Sequence, residues 1–227
     1  MKIEIHRILC CALALAVSAA GADSLDSVLA RMDKAAKAFQ GMTVDTKKIT
    51  YTAVIDDRTE EDGVLRMRRR GNGHDVQALW ETTKPADVKK TWEFHGDKAR
   101  LFLPNANQVE IFDFSKNGDQ MDQFVLLGFG TTEDDLKKNY TIRLIGQENS
   151  TTHLELKPKA SQAKDLVKTI DLWISNSNNY PVREKLLQPS NDYILVTYEN
   201  LKLSPVPSEN EVELKLPPGV KKIYPGK

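Results

Sequence analysis

Residues 63–70 read G-V-L-R-M-R-R-R, an alternation of apolar and basic side chains that is typical of a β-strand. Successive side chains of an extended strand point to opposite faces, so Leu65, Met67 and Arg69 share one face and the intervening arginines share the other. A period of two with one apolar row predicts a strand that buries that row against a core.

The same period of two recurs along most of the chain. It is found at residues 49–55, 76–80, 88–94, 99–103, 109–111, 142–144, 154–156, 170–174, 182–186 and 193–195. The connections between these segments are short, and turn residues stand at 95–98 and 104–107. Parallel strands need long crossovers, so the pattern predicts an antiparallel meander of about ten strands, wide enough to curl.

One helix is expected before the strands. Apolar residues recur every three or four positions over residues 25–39, which places them on one helix face. Ser24 or Asp23 can cap the start, and Gly41 stands just past the end. We therefore expect this helix to cover one apolar face of the sheet.

Residues 119–140 interrupt the strand rhythm. They contain an apolar cluster that ends at Gly128-Phe129-Gly130, followed by a helix start with Thr132 as N-cap and Asp135 three residues later. Two interpretations fit these residues. The segment is either a flap over the concave face of the sheet or a permanent plug of the core.

The first 22 residues have the layout of a secretory signal peptide. A basic start is followed by an apolar run at residues 8–17 and by the cleavage site Ala20-Gly21-Ala22. The apolar run is too short to span a bilayer, and the alternative is a buried N-terminal helix. Cleavage after Ala22 would leave an exported mature domain of residues 23–227.

The composition argues against several classes of protein. The chain has 32 basic and 32 acidic residues, so it has no net field to attract nucleic acid or an anionic membrane. Both cysteines, Cys10 and Cys11, lie in the leader, which excludes a disulfide scaffold in the mature protein.

Motifs that carry chemistry are also missing from the sequence. The histidines lack zinc-site spacing, and no nucleophile elbow or glycine-rich phosphate loop is present. The acidic runs at residues 60–62 and 133–135 fit turns or helix starts better than a carboxylate pair for acid–base work. We therefore expect no metal, no cofactor and no catalytic residue, hence a protein that is not an enzyme.

Arg69 stands out because it continues the apolar row of Leu65 and Met67. A guanidinium in such a row is costly unless it is hydrogen-bonded. Arg69 either lies at the rim of the sheet and reaches water, or donates hydrogen bonds to a covering element such as the free carbonyls at a helix end. For the second case we expect the partner in residues 119–130.

Several short motifs follow one another along nearly the whole mature chain. They are Arg31-Met32-Asp33-Lys34 in the opening helix, the strand at 63–69, Lys84-Pro85 before the hairpin Gly96-Asp97-Lys98, the strand at 154–159, and the closing Leu216-Pro217-Pro218-Gly219-Val220. In this order they resemble the LolA/LolB group of periplasmic lipoprotein carriers, the outer-membrane lipoprotein-sorting proteins.

This resemblance implies a mainly β (α+β) fold, an incomplete antiparallel β-barrel of about ten or eleven strands with covering helices. It also implies an apolar cavity that shields lipoprotein acyl chains or lipid in the periplasm during transfer toward the outer membrane. The partners it implies are an inner-membrane release complex and an outer-membrane acceptor, for a monomeric carrier. Arg69 falls on the position of the family's lid-contacting arginine.

The residues expected to line the cavity come from the apolar rows of the strands and from the covering segment. They are Tyr51, Leu65, Met67, Arg69, Trp80, Trp92, Phe94, Phe124 and Leu127. Two other functions stay open at this point. One is a lipid-binding or sensor module of the cell envelope, and the other is an enzyme on a similar β-rich scaffold, which would need converging polar groups in the cavity.

Overall fold

The computed structural model describes residues 24–71, 75–113 and 127–225. These ranges contain three α-helices, namely α1 (Leu25–Ala38), α2 (Glu133–Asn139) and α3 (Ser161–Leu166). None of the helices in them is long and apolar enough to cross a bilayer. The strands there are β1 (Gly41–Thr52), β2 (Asp57–Arg69), β3 (Val76–Lys84), β4 (Thr91–His95), β5 (Lys98–Leu103), β6 (Gln108–Asp113), β7 (Tyr140–Glu148), β8 (Thr151–Pro158), β9 (Thr169–Ser175), β10 (Pro181–Leu187), β11 (Tyr193–Lys202) and β12 (Lys221–Ile223).

All twelve strands belong to one sheet, in the order β12-β6-β5-β4-β3-β2-β1-β11-β10-β9-β8-β7. Strands β1 to β6 form one antiparallel meander and β7 to β11 form another, joined by the pairing of β1 with β11. Among the described residues the sheet does not close, so the expected mainly β, incomplete antiparallel barrel with covering helices is confirmed. The extra strand, β12, lies in the proline-rich tail and runs parallel to β6.

Helix α1 begins where the sequence predicts. Ser24 is its N-cap, and the Ser24 side chain accepts a hydrogen bond from the Ser27 backbone N–H at 3.2 Å. The apolar stripe of the helix is buried against strands β7 to β9. The resulting core contains Val28, Leu29, Met32, Leu154, Leu156, Ile170 and Leu172.

Helix α2 also begins as predicted, with Thr132 as its N-cap accepting from the Asp135 backbone N–H at 3.2 Å. It lies beside α1, since the Asp33 carboxylate accepts a hydrogen bond from the Glu133 backbone N–H at 3.2 Å. Residues 119–126 of the expected covering segment lie outside the described residues, so the choice between flap and plug stays open for them.

A second core lies on the concave face of strands β1 to β4 and β11. Its buried members include Phe39, Met42, Val44, Leu65, Met67, Ala78, Phe129, Tyr180 and Tyr198. The Phe129 ring stacks on the Tyr180 ring, with centroids 6.0 Å apart. Two cores therefore fill part of the concave face, one beneath α1 and one in the bend of the sheet.

Two strand boundaries differ from the sequence prediction. Strand β1 begins at Gly41, well before residue 49, because Met42, Val44 and Thr46 already alternate toward the core and are buried. It ends at Thr52, and Ala53–Ile55 form a short 3₁₀ turn. Similarly, Val88 lies in a 3₁₀ turn before β4 and not in the strand.

The chain after β11 covers part of the outer face of the sheet. Leu214 packs with Leu79 and Val109 on the side of the sheet that faces away from α1. The buried Glu93 carboxylate on β4 fixes the chain around Leu214 to the sheet. It accepts hydrogen bonds from the Leu214 backbone N–H at 3.0 Å and from the Gln77 side-chain amide at 3.3 Å. This part of the sheet is therefore buried on both faces.

Candidate binding site on the concave face

An apolar cavity of about 220 Å³ lies on the concave face, between strands β3 to β6 on one side and β10 to β11 on the other. Drug-sized ligands usually occupy about 300–1,000 Å³, whereas apolar cavities of about 150 Å³ already bind benzene. The described cavity therefore has room for a short apolar segment. It is lined by Lys48, Trp80, Trp92, Phe94, Ala99, Phe112, Glu184, Leu186, Ile194 and Val196.

The first wall of the cavity is aromatic. Trp80 and Trp92 are cross-strand partners on β3 and β4, and the Trp92 ring centroid is 5.7 Å from that of Phe94 and 5.6 Å from that of Phe112. The Trp80 indole N–H donates to the Thr46 hydroxyl at 2.9 Å, so its polar atom is satisfied. Rings held in this way present a large apolar surface with little freedom to lose on binding.

The opposite wall is aliphatic. Leu186 on β10 and Ile194 on β11 are directly paired, and Val196 lies two residues further along the same face of β11. Cross-strand neighbours on one face have Cβ atoms about 5 Å apart, so these side chains form one continuous surface. The cavity therefore offers carbon atoms on two opposing sides.

Of the two ionisable residues in the lining, Lys48 forms a salt bridge. The Lys48 ammonium lies 2.7 Å from the Glu61 carboxylate, which also binds the Lys90 ammonium at 2.6 Å. Burial lowers the pKa of Lys48 against the opposing effect of Glu61. Burial alone would raise the pKa of Glu61, but the hydrogen bonds from both lysines outweigh it and lower that pKa.

The other ionisable residue in the lining is Glu184, which is only 1% exposed. The Tyr198 hydroxyl donates a hydrogen bond to Glu184 Oε2 at 3.1 Å. Burial raises the pKa of the Glu184 carboxyl well above its usual range, and the hydrogen bond from Tyr198 opposes this only in part. Burial also raises the pKa of Tyr198. Burial therefore favours the uncharged form of both side chains.

The structure brings three of the sequence-predicted residues together in the cavity, namely Trp80, Trp92 and Phe94. Leu65 and Met67 lie on the same face but deeper, fully buried in the core of the bend. Leu127 packs in the other core, beneath α1. Phe124 lies outside the described residues.

Tyr51 lies on the opposite face of the sheet. In β1 the side chains of Thr46 and Lys48 face inward, so the odd-numbered Tyr51 points outward. Its ring stacks on that of Tyr193, with centroids 5.0 Å apart, and its hydroxyl donates to the Asp56 carboxylate at 2.8 Å.

Arg69 continues the inward row of Leu65 and Met67 and contacts a helix end. One guanidinium N–H donates to the Ala36 carbonyl, in the last turn of α1, at 2.7 Å. A Cβ added to Gly130 would lie 3.4 Å from the same guanidinium, so the chain after residue 127 passes closely over it. The expected hydrogen bond to a helix-end carbonyl is therefore present, and the helix that accepts it is α1.

Sequence reasoning missed most of the second wall. Residues 193–196 are Tyr-Ile-Leu-Val, so every position is apolar and alternation cannot tell which side chains face inward. The pattern marks residues 193–195 as a strand segment without choosing its inward side chains, and the structure shows that Ile194 and Val196 line the cavity. The sequence did contain a signal for Glu184. It shares one face of its strand with Leu186, just as Arg69 shares a face with Met67, and a charged residue in an apolar row indicates a buried polar group.

No group of three or more His, Cys, Asp or Glu side chains in the described ranges could hold a metal ion. No protein-family model matches the chain, and no curated protein matches it significantly in sequence. Solved structures do match it.

An uncharacterized conserved protein from Thermus thermophilus is 12% identical, with a TM-score of 0.54, over 89% of this chain and 99% of that one. A DUF1329 family protein from Desulfovibrio piger is 15% identical, with a TM-score of 0.52, over 82% of this chain and 94% of that one. A domain described as an outer membrane lipoprotein-sorting protein, from Vibrio parahaemolyticus, is 12% identical, with a TM-score of 0.48, over 82% and 94%. At these identities the likeness concerns the fold alone, and the first two structures share the overall fold of this chain.

Proposed function

We propose that this protein is a carrier that binds the acyl chains of a lipoprotein or lipid in the concave-face cavity and shields them from water. The observation that carries the proposal is the cavity itself, with an aromatic wall facing an aliphatic wall. Each methylene group moved from water into such surroundings contributes about 0.8 kcal/mol. A short buried segment of chain is therefore enough for useful but reversible affinity.

The proposed setting is the periplasm, with transfer toward the outer membrane. The LolA/LolB-like motifs and the signal-peptide layout of the first 22 residues support this setting. By the same resemblance, the cargo would come from an inner-membrane release complex and pass to an outer-membrane acceptor, with the carrier acting as a monomer.

We propose that carriage involves no covalent chemistry. The functional demand on a carrier is burial followed by release, for which apolar walls suffice. Of the two ionisable residues in the cavity lining, Lys48 forms a salt bridge with Glu61, and burial shifts the hydrogen-bonded Glu184 toward its neutral form. Both arrangements suppress charge in the cavity, as the binding of acyl chains requires.

The three tryptophans of the chain provide a direct test. Trp80 and Trp92 line the cavity. Trp173 lies on the outer face, where it contacts the His153 ring and the Arg183 guanidinium. An acyl chain that carries bromine quenches only the tryptophans it touches. Titration of delipidated protein with a brominated acyl chain should therefore quench the fluorescence of the Trp173→Phe variant and of the wild type.

The Trp80→Phe/Trp92→Phe double variant is the matched control, because it keeps the cavity aromatic and leaves Trp173 as the only tryptophan. It should bind the probe without quenching. Quenching of Trp173 alone, or of none of the three, would contradict the assignment of the site.

Transfer separates a carrier from a sensor of the same fold. Protein loaded with a fluorescent lipopeptide should pass it to acceptor vesicles faster than the lipopeptide leaves donor vesicles unaided. Binding without accelerated transfer would favour the sensor or lipid-binding module instead.

A further inference from the structure

Glu184 is a polar group that the carrier proposal does not by itself use. Its register on β10 places it opposite Leu172 on β9 and Val196 on β11, both of which face inward. Only one of its two carboxyl oxygens is satisfied. Oε2 accepts from the Tyr198 hydroxyl at 3.1 Å, while Oε1 has no hydrogen-bond partner among the described residues.

A buried oxygen without a partner is costly and therefore calls for an explanation. Leaving such a group unpaired costs about 1–3 kcal/mol, which apolar side chains of the same shape would avoid. Neither Leu172 nor Val196, its neighbours across the two strand pairs, can supply a donor or acceptor from its side chain. Glu184 is part of the cavity lining, and its Oε1 is buried, so a ligand in the cavity could supply a partner once the Glu184 side chain turns toward it.

The protonation state of Glu184 decides what kind of ligand atom fits. Burial raises the pKa of the carboxyl, and the cation that shares the cavity, Lys48, is bound to Glu61. Burial therefore favours the neutral carboxyl, which carries one proton. Oε2 accepts from Tyr198, and the carbonyl oxygen of a carboxylic acid is its better acceptor, so the proton is placed on Oε1. Oε1 is then a hydrogen-bond donor.

We propose that Glu184 Oε1 donates a hydrogen bond to the ester or amide carbonyl of the bound acyl group. This inference rests on the proposed function and adds a polar point of recognition to it. An acyl group combines an apolar chain, which suits the two walls, with an uncharged acceptor, which suits a neutral acid. The carrier would then recognise where the chain is linked to its headgroup, in addition to the chain itself.

The test is a cycle of two ligands and two proteins. Methyl decanoate carries an ester carbonyl, and undecane has a similar length without any acceptor. Each is used to displace the brominated acyl chain from full-length mature wild type and from Glu184→Leu, with Trp80 and Trp92 fluorescence as the readout. Because each ligand is compared with itself in the two proteins, its solubility in water cancels from the result.

We expect Glu184→Leu to weaken methyl decanoate about tenfold relative to undecane, which is the loss of one hydrogen bond. Glu184→Gln, whose amide can still donate, should keep most of the preference. Glu184→Leu leaves the Tyr198 hydroxyl without its acceptor. If that variant folds poorly, the double variant Tyr198→Phe/Glu184→Leu, which lacks this hydroxyl, replaces it in the test. Ile194→Ala is the control for a purely apolar change, and should weaken both ligands alike.

The outcomes separate the two proposals. Equal weakening of ester and alkane by Glu184→Leu, while the brominated chain still binds, would overturn the role of Glu184 and leave the carrier proposal intact. Failure of the brominated chain to bind wild type would overturn both. A third ligand, N-methyldecanamide, shows whether an amide carbonyl, as in an N-acylated protein, or an ester carbonyl, as in a glycerolipid, is preferred.

Discussion

Replacement of Glu184 by Gln should change how the stability of the empty protein depends on pH. The two side chains have the same shape, and Gln can still accept the hydrogen bond from Tyr198. Only Glu can ionise. In the folded protein, burial holds the pKa of this carboxyl well above its ordinary value of 4.5, whereas in the unfolded chain it is exposed to water.

The sign of the effect follows from proton binding. Between about pH 4.5 and the raised pKa, the folded state holds one proton at Glu184 that the unfolded state has lost. The stabilisation from this group is therefore complete below the unfolded pKa and is lost as pH rises toward the folded pKa. One proton released on unfolding lowers the free energy of unfolding by about 1.4 kcal/mol for each pH unit.

Urea unfolding at several pH values from about 5 upward measures this slope, with wild type and Glu184→Gln compared at each pH. The free energy of unfolding of wild type should fall relative to the variant as pH rises above the unfolded pKa, with a limiting slope of about 1.4 kcal/mol per pH unit. Glu61→Gln is the control, because the folded protein lowers the pKa of Glu61 and its difference from wild type should be constant above pH 5. Parallel curves for wild type and Glu184→Gln would refute the argument that the carboxyl is buried and neutral.

Arg69→Leu removes the hydrogen bond to the Ala36 carbonyl and should lower the free energy of unfolding by about 2 kcal/mol, while slowing transfer of cargo and leaving uptake unchanged. Arg68→Leu is the control, because Arg68 donates to the Pro207 carbonyl and not to α1. That variant should lose stability but keep the normal rate of transfer. Slowed transfer in Arg68→Leu alone would mean that the wrong arginine was chosen. Expression of the full-length chain in a bacterial host should yield a mature protein cleaved after Ala22, and an intact mass that retains the leader, or a lipid adduct on a leader cysteine, would contradict the signal-peptide interpretation.

The sequence by itself determined the elements whose patterns are local. The apolar stripe of α1, its Ser24 cap and the Thr132 cap of α2 lie within a few residues of the structures they specify. The row of Leu65, Met67 and Arg69 likewise follows from the alternation of a single strand. Short turns between such strands were enough to predict an antiparallel sheet that curls, because they exclude crossovers.

Only the tertiary structure decided which rows form the cavity and how they are filled. The run of apolar residues at 193–196 has no polar face, so pairing with β1 and β10 was needed to turn Ile194 inward. Tyr51 faces outward because the pairing of β1 with β2 and β11 fixes which side chains of β1 point toward the core. Coverage of the outer face by the chain around Leu214 depends on contacts more than 100 residues apart in sequence, as the hydrogen bond to Glu93 shows.

Arg69 and Glu184 show where this division lies. For both, the sequence places a charged side chain in an inward row, which is a local fact. Their different surroundings are decided by what the fold packs against them, since the Ala36 carbonyl accepts from Arg69, while Glu184 lies between Leu172 and Val196 and accepts from the Tyr198 hydroxyl. Burial and hydrogen-bond partners come from distant parts of the chain, and they determine whether a buried group stays charged.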